Sequence, residues 1–215
     1  MPVTHEQFSN LRLFVHPLIQ DKLARARSTE TPPSQFRRLL NEVAGLMTYE
    51  VCRDLRTREE TVTTPIATTE GRLLDEPITL VPILRAGIGM TDGILSLLPE
   101  ARVGHIGLYR NEETLEPVEY YAKMPPDVAD GVVLLIDPML ATGGSASAAL
   151  TQLKKRGCSR IRLICLVAAP EGIARIEQDH PDITMFVAAL DEKLDESGYI
   201  IPGLGDAGDR LFGTQ

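Results

Sequence analysis

The chain has 215 residues, 43% hydrophobic and 24% charged, enough to bury a core without disulfides or structural metals. Its 30 acidic side chains outnumber 22 basic ones, and the net charge of −8 repels polyanions, so nucleic acid is not expected as a partner. The longest apolar runs, around Val132–Ile136 and 164–169, fall far short of the roughly 18 residues that span a bilayer, and MPVTHEQFSN shows no signal-peptide pattern, so no membrane partner is expected either.

Along the chain, residues 1–75 read as a mainly helical N-terminal part. Residues 17–26 suit a short helix. Ser34, after Pro32-Pro33, is placed to cap a longer one, whose apolar positions Phe36, Leu39, Leu40, Val43, Met47, Val51 and Leu55 form a single stripe. From 78 to 190 the pattern alternates. Strands are expected at Ile78–Leu84, 102–110, 131–136, 160–168 and 183–190, with helices at 86–98, 145–155 and Pro170–Asp179. Apolar strands separated by helices of about 10–15 residues indicate a parallel α/β sheet. Two segments break the alternation. Residues 111–126 (NEETLEPVEYYAKMPP) are too polar for a core strand and too long for a tight turn, and predict a protruding hairpin or flexible arm. The tail, 191–215, contains the glycine-rich run YIIPGLGDAGDRLFGT. Without repeats or composition shifts, the expectation is one domain over 1–215.

Residues 132–145, VVLLIDPMLATGGS, carry the strongest chemical signal. An apolar strand ends at Asp137, and Thr142-Gly143-Gly144-Ser145 opens a helix. Ligands of parallel sheets bind beyond the carboxyl ends of strands, and hydroxyls with free helix N-terminal amides suit phosphate oxygens. Asp137 would repel a phosphate but accept hydrogen bonds from ribose hydroxyls, so the pattern points to a sugar phosphate. The plainer reading is a helix cap. The run is neither a Walker loop nor a G-x-G-x-x-G fingerprint. Arg85, between a strand and a helix, offers a planar fork for a diphosphate or simply an exposed charge. Arg110 ends a strand at the polar arm, where an edge-solubilising charge is the alternative. Tyr120, Tyr121 and Lys123 suit packing against a neighbouring subunit, or covering a ligand. His105 reads as a core or interface residue. Cys165 reads as apolar filler, and nothing near Cys158 suggests activation. His5, His16, His105 and His180 lack metal-ligand spacing, and Cys52, Cys158 and Cys165 form no C-x-x-C pair. Reduced thiols in a cytoplasmic protein with no protein-held metal are expected.

Residues 137–145, DPMLATGGS, resemble the phosphoribosyl-diphosphate loop of phosphoribosyltransferases, in the form typical of the uracil enzymes. Pro82 to Met90 (PILRAGIGM), residues 109–117 with Tyr120-Tyr121, and residues 199–214 resemble the same family, as more weakly do Tyr49-Glu50 and Arg53-Asp54-Leu55. Pro138 stands where many phosphoribosyltransferases carry a second acid. The resemblance implies a type I phosphoribosyltransferase-like α/β fold: a central, mainly parallel sheet flanked by helices, with a hairpin arm and a C-terminal hood. It implies conversion of uracil and 5-phospho-α-D-ribose 1-diphosphate to UMP and diphosphate, in pyrimidine salvage. By the same resemblance the donor meets Arg85, Arg110, Asp137, Pro138, Met139, Leu140, Ala141, Thr142, Gly143, Gly144, Ser145 and Asp206. Uracil meets Ile200, Gly205, Asp206 and Ala207, and Asp206 and Arg110 take the catalytic roles. Mg2+ bound mainly through the donor, GTP as an effector, and a homo-oligomer of two or more copies are also implied. A transferase for another base and an RNA-binding regulator are the rival readings. The tail argues against the first and the acidic charge against the second.

Overall fold

The computed structural model describes residues 1–110 and 117–214, with the side chains of Arg110 and Pro117 outside that description. Strands β1 (Val3–Thr4) and β2 (Leu11–Leu13) precede helices α1 (Pro17–Arg27) and α2 (Pro33–Val51). Ser34 is not the cap of α2. Pro32 holds the N-cap position and Pro33 starts the helix, since its fixed φ and missing N–H suit the first turn. Leu55 lies past the end of α2 but still packs on the core.

The helical reading of residues 1–75 fails beyond α2. Strands β3 (Thr57–Thr63) and β4 (Thr68–Leu74) form an antiparallel hairpin, exposed at every residue but Gly71. With neither face buried, no apolar alternation marks these strands, and only threonine-rich β-branching hints at them.

The alternating part follows: β5 (Ile78–Leu84), α3 (Ile88–Leu95), β6 (Arg102–Val103), β7 (His105–Arg110) and β8 (Pro117–Lys123). The expected strand 102–110 breaks at Gly104, where Met124 Sδ leaves no room for a Cβ. β8 returns antiparallel to β7, and residues 111–116 of the expected arm lie outside the described residues. Then come β9 (Val132–Ile136), β10 (Met139–Leu140), α4 (Gly144–Lys155), β11 (Ile161–Ala168), α5 (Pro170–Asp179) and β12 (Thr184–Leu190). The tail folds as a short antiparallel pair, β13 (Lys193–Leu194) and β14 (Ile200–Ile201), and one further helix, α6 (Ala207–Phe212).

The main sheet has the order β1-β2-β12-β11-β9-β5-β7-β8, and every neighbouring pair from β2 to β7 is parallel. The α/β reading with a mainly parallel sheet flanked by helices therefore holds. Both faces of its centre are covered, which is why VVLLI of β9 is buried at all five positions. Val132, Leu134 and Ile136 point into the core beneath α1, α2, α3 and α6. Val133 and Leu135 point to the other core, beneath α4 and α5.

Candidate functional site

The parallel run of β5, β9 and β11 brings their carboxyl ends to one edge. After β9 the chain turns at Asp137, whose Oδ1 accepts the Met139 amide at 3.3 Å. β10 then pairs with Val167 and Ala168 of β11, holding the loop against the sheet. Burial pushes the Asp137 carboxyl up to about 7, and the single amide bond only partly opposes this. Near neutral pH this group can therefore carry or release a proton. Gly143, at φ +76°, starts α4 in the left-handed region that favours glycine, and a Cβ there would also lie 3.0 Å from Gly172 O. The first turn of α4 holds no acid, so no local negative charge opposes its free amides. Thr142 Oγ1 lies 3.4 Å from Gly144 N, and Ser145 is exposed.

Arg85 follows β5 and is exposed. Its Nη2 donates to Asp209 Oδ1 at 3.0 Å, and its guanidinium lies 5.8 Å from the Phe212 ring centre. At Gly87, just beyond, a Cβ would lie 2.6 Å from Ile136 O, which keeps the loops after β5 and β9 close together. Asp206 caps α6, its Oδ1 accepting the Asp209 amide at 2.8 Å. Ile200 and Ala207 are buried, whereas Gly205 is exposed at φ +70°. At Gly198 a Cβ would lie 3.9 Å from Thr142 Cγ2, so the tail also borders the loop before α4.

A cavity of about 530 Å3 lies between the tail and the α1–α2 connection, lined in part by Arg27, Thr29, Thr31, Gly205, Asp206 and Arg210. A larger and mainly apolar groove of about 980 Å3, between α1, α2 and α3, holds none of the expected site residues.

Several structural partners of this site were not foreseen from sequence. Arg27 pairs with buried Asp191 at 2.6 Å and donates to Gly203 O at 2.7 Å, while the Gly203 amide donates to Asp191 Oδ2 at 2.9 Å. Arg210 donates to Leu204 O and Ser28 O and lies over the Phe36 ring, and Arg37 donates to Leu211 O. The contacts of Arg27 with Asp191 and Gly203, of Arg210 with Ser28 and of Arg37 with Leu211 join residues more than 160 positions apart, and only folding pairs them.

Of the remaining expectations, the Arg110 side chain lies outside the described residues. Tyr120 packs within its own hairpin, across Gly107 and 6.3 Å from the Tyr109 ring, and Tyr121 and Lys123 are exposed. His105 is half-buried in β7. Burial raises the thiols of Cys158 and Cys165, which suits inert filler. Among the described residues no three His, Cys, Asp or Glu side chains gather to hold a metal ion, and no helix is long and apolar enough to cross a membrane.

A family model described as uracil phosphoribosyltransferase matches residues 13–214. A uracil phosphoribosyltransferase of Halalkalibacterium halodurans is 56% identical over 208 residues, which are 96% of this chain and all of that one. Another, from Acholeplasma laidlawii, is 57% identical over 200 residues, 93% of this chain and 96% of the relative. Among solved structures, the AQ2163 protein from Aquifex aeolicus superposes with a TM-score of 0.91 at 40% identity, over 95% of this chain and 99% of that one.

Proposed function

The chain belongs to the uracil phosphoribosyltransferase family, and from that premise we propose how its residues divide the work. The enzyme converts uracil and 5-phospho-α-D-ribose 1-diphosphate to UMP and diphosphate, a pyrimidine-salvage reaction. Residues 137–145 hold the donor. Thr142, Ser145 and the amides opening α4 take its 5′-phosphate, and Asp137 accepts from the ribose hydroxyls. Arg85 and Arg110 meet the diphosphate. Backbone groups of Ile200, Gly205, Asp206 and Ala207 match the acceptor–donor–acceptor edge of uracil. The observation that carries this reading is the meeting of three distant segments at one sheet edge: Arg85 against Asp209, Gly198 against Thr142, and the loops after β5 and β9 against each other.

As diphosphate leaves, positive charge grows on the ribose, as in glycoside cleavage. The protein aligns the base with the sugar and stabilises the departing anion through Arg85 and Arg110. Lacking a three-ligand group of their own, the described residues suit Mg2+ only as part of the donor complex, with Asp206 the carboxylate nearest to it in this reading. There the ion would offset diphosphate charge. Arg85 can leave the Asp209 carboxylate for the donor without displacing Asp206, since Asp206 Oδ1 is held by the Asp209 backbone amide and not by its side chain.

Assembly into a homo-oligomer belongs to the same proposal. The exposed β3–β4 hairpin supports it, because a two-stranded hairpin is marginal alone in water and its tip carries Ile66 at 96% exposure. A response to GTP and a cytoplasmic location complete it. Arg27 and Arg37 are both engaged with the tail, which offers an effector a route to the base-binding segment. The test of the donor site is binding by calorimetry. Thr142→Val should weaken donor affinity by about tenfold through one lost charge-assisted hydrogen bond. Gly144→Val should also weaken it, by blocking approach to the backbone. Normal affinity in both variants would reduce the loop to a helix cap.

A further inference from the structure

We propose that Arg175 is an additional donor-binding residue, its guanidinium meeting the 5′-phosphate at the loop that opens α4. The inference rests on the reading of that loop as the phosphate site.

The first turn of α5 is pressed against the loop. A Cβ at Gly172 would lie 2.8 Å from Leu140 O and would clash with Ala141 O. One turn later on the same helix face stands Arg175. Its Cβ and Cδ lie 3.2 and 3.4 Å from where Gly143 would place a Cβ, and its Nη1 lies 3.4 Å from the equivalent point on Gly144. The stem of Arg175 therefore packs against Gly143, and its guanidinium borders Gly144 at the opening of α4. Thr142 Oγ1, at 3.6 Å, borders the same point on Gly144.

The arginine is steadied at one corner only. Its Nε lies 3.4 Å from Asp179 Oδ2, an oxygen that also accepts from Ser147 Oγ at 2.8 Å. Ser147 belongs to α4, so the acid that orients Arg175 is tied to the helix whose N-terminus Arg175 faces. Among the described residues neither Nη group has a hydrogen-bond partner. The side chain is 46% exposed, so a fork of donors stands ready at little desolvation cost.

Sheet order separates Arg175 from the diphosphate. α5 follows β11 on one side of β9, whereas Arg85 and Arg110 end β5 and β7 on the other. A cation arriving from the β11 side meets the 5′-phosphate end of a donor laid across β9, not the leaving group.

The test compares two fragment inhibitors of the full-length enzyme, ribose 5-phosphate and inorganic diphosphate. Arg175→Ala should raise the donor KM and the ribose 5-phosphate inhibition constant about tenfold, while kcat and the diphosphate constant move less than about twofold. Arg175→Lys should recover part of the loss, keeping charge without the fork. An unchanged thermal unfolding midpoint in Arg175→Ala would confirm that the fold is intact. If Arg175→Ala leaves ribose 5-phosphate binding unchanged while Thr142→Val weakens it, the proposal is overturned and the loop reading stands. If neither variant weakens it, both fail. Equal weakening of both inhibitors would also overturn the proposal, since the effect would then be one of general charge.

Discussion

At Asp137 the carboxyl is withdrawn from water where β9 ends, and one amide is its hydrogen-bond donor among the described residues. The consequence for stability follows from the direction of the shift. An ordinary aspartate titrates near 4 when unfolded, so between about pH 4 and pH 7 the folded state binds the extra proton. The contribution of Asp137 to stability is therefore full at low pH and declines as pH rises through that window. Asp137→Asn should remove this decline, and thermal unfolding of both proteins without ligand from pH 5 to pH 8 checks it: their midpoints should diverge in favour of the variant as pH rises. Parallel curves would mean that Asp137 titrates normally. Donor binding, which draws on the ionised form, should release protons near neutrality in the parent protein and fewer in the variant. Asp206 poses a separate question, because its Oδ1 already has the structural task of capping α6. Asparagine keeps that oxygen, and with it the cap. A charge-dependent role at the donor–Mg2+ complex predicts that Asp206→Asn stays folded and binds uracil. Its turnover should fall by at least an order of magnitude, about 1.4 kcal/mol of transition-state stabilisation, with a shifted Mg2+ dependence. Unchanged turnover and an unchanged Mg2+ curve would leave Asp206 as a cap alone.

At the scale of elements, the tail proposed to bind the base is positioned less by its own short pieces than by the helical layer it crosses. β13 and β14 have two residues each and α6 has six, too little to hold a shape alone. Arg27 and Asp191 grip Gly203 by its carbonyl and its amide, Arg210 ties Leu204 to Ser28, and Leu211 packs on Gly89 of α3. Asp191→Asn removes the charge from a buried pair and leaves Arg27, 24% exposed, without its counter-ion. The expected cost is about 2 kcal/mol, below the range for fully buried pairs because Arg27 retains some water. Because Gly203 lies between Ile200 and Gly205 of the proposed uracil segment, KM for uracil should rise by more than KM for the donor. Equal changes in the two constants would mean a general loss of stability.

Across the whole molecule, the proposed reading gives each substrate its own side of the sheet. In that reading the donor loop grows from the central strand β9, the diphosphate arginines from β5 and β7, and the base segment from a tail that touches Arg85 and borders Thr142. A base read through backbone amides and carbonyls is selected by its hydrogen-bonding edge. Uracil should thus be used well, cytosine poorly and purines not at all, and an edge left unpaired discriminates by about 10⁴-fold or more. Initial rates across a panel of nucleobases test this, and comparable turnover with hypoxanthine or guanine would contradict it.

Periodicity and local chemistry alone determined the parallel core and its principal loop. VVLLI followed by Asp137 and Thr-Gly-Gly-Ser has to be a buried strand feeding a helix, because two-faced burial and open N-terminal amides leave their marks in consecutive residues. The strand at Ile78–Leu84 and the helix at Pro170–Asp179 were legible for the same reason. The β3–β4 hairpin was not, since strands exposed on both faces carry no apolar alternation. Tertiary structure alone decided that Arg27 meets Asp191 and that Arg175 comes to rest beside Gly143 and Gly144. Isolated charges have no period, and the contacts that assign them join positions far apart in the chain. Their partners are chosen by the order of strands in the sheet, which consecutive residues do not encode.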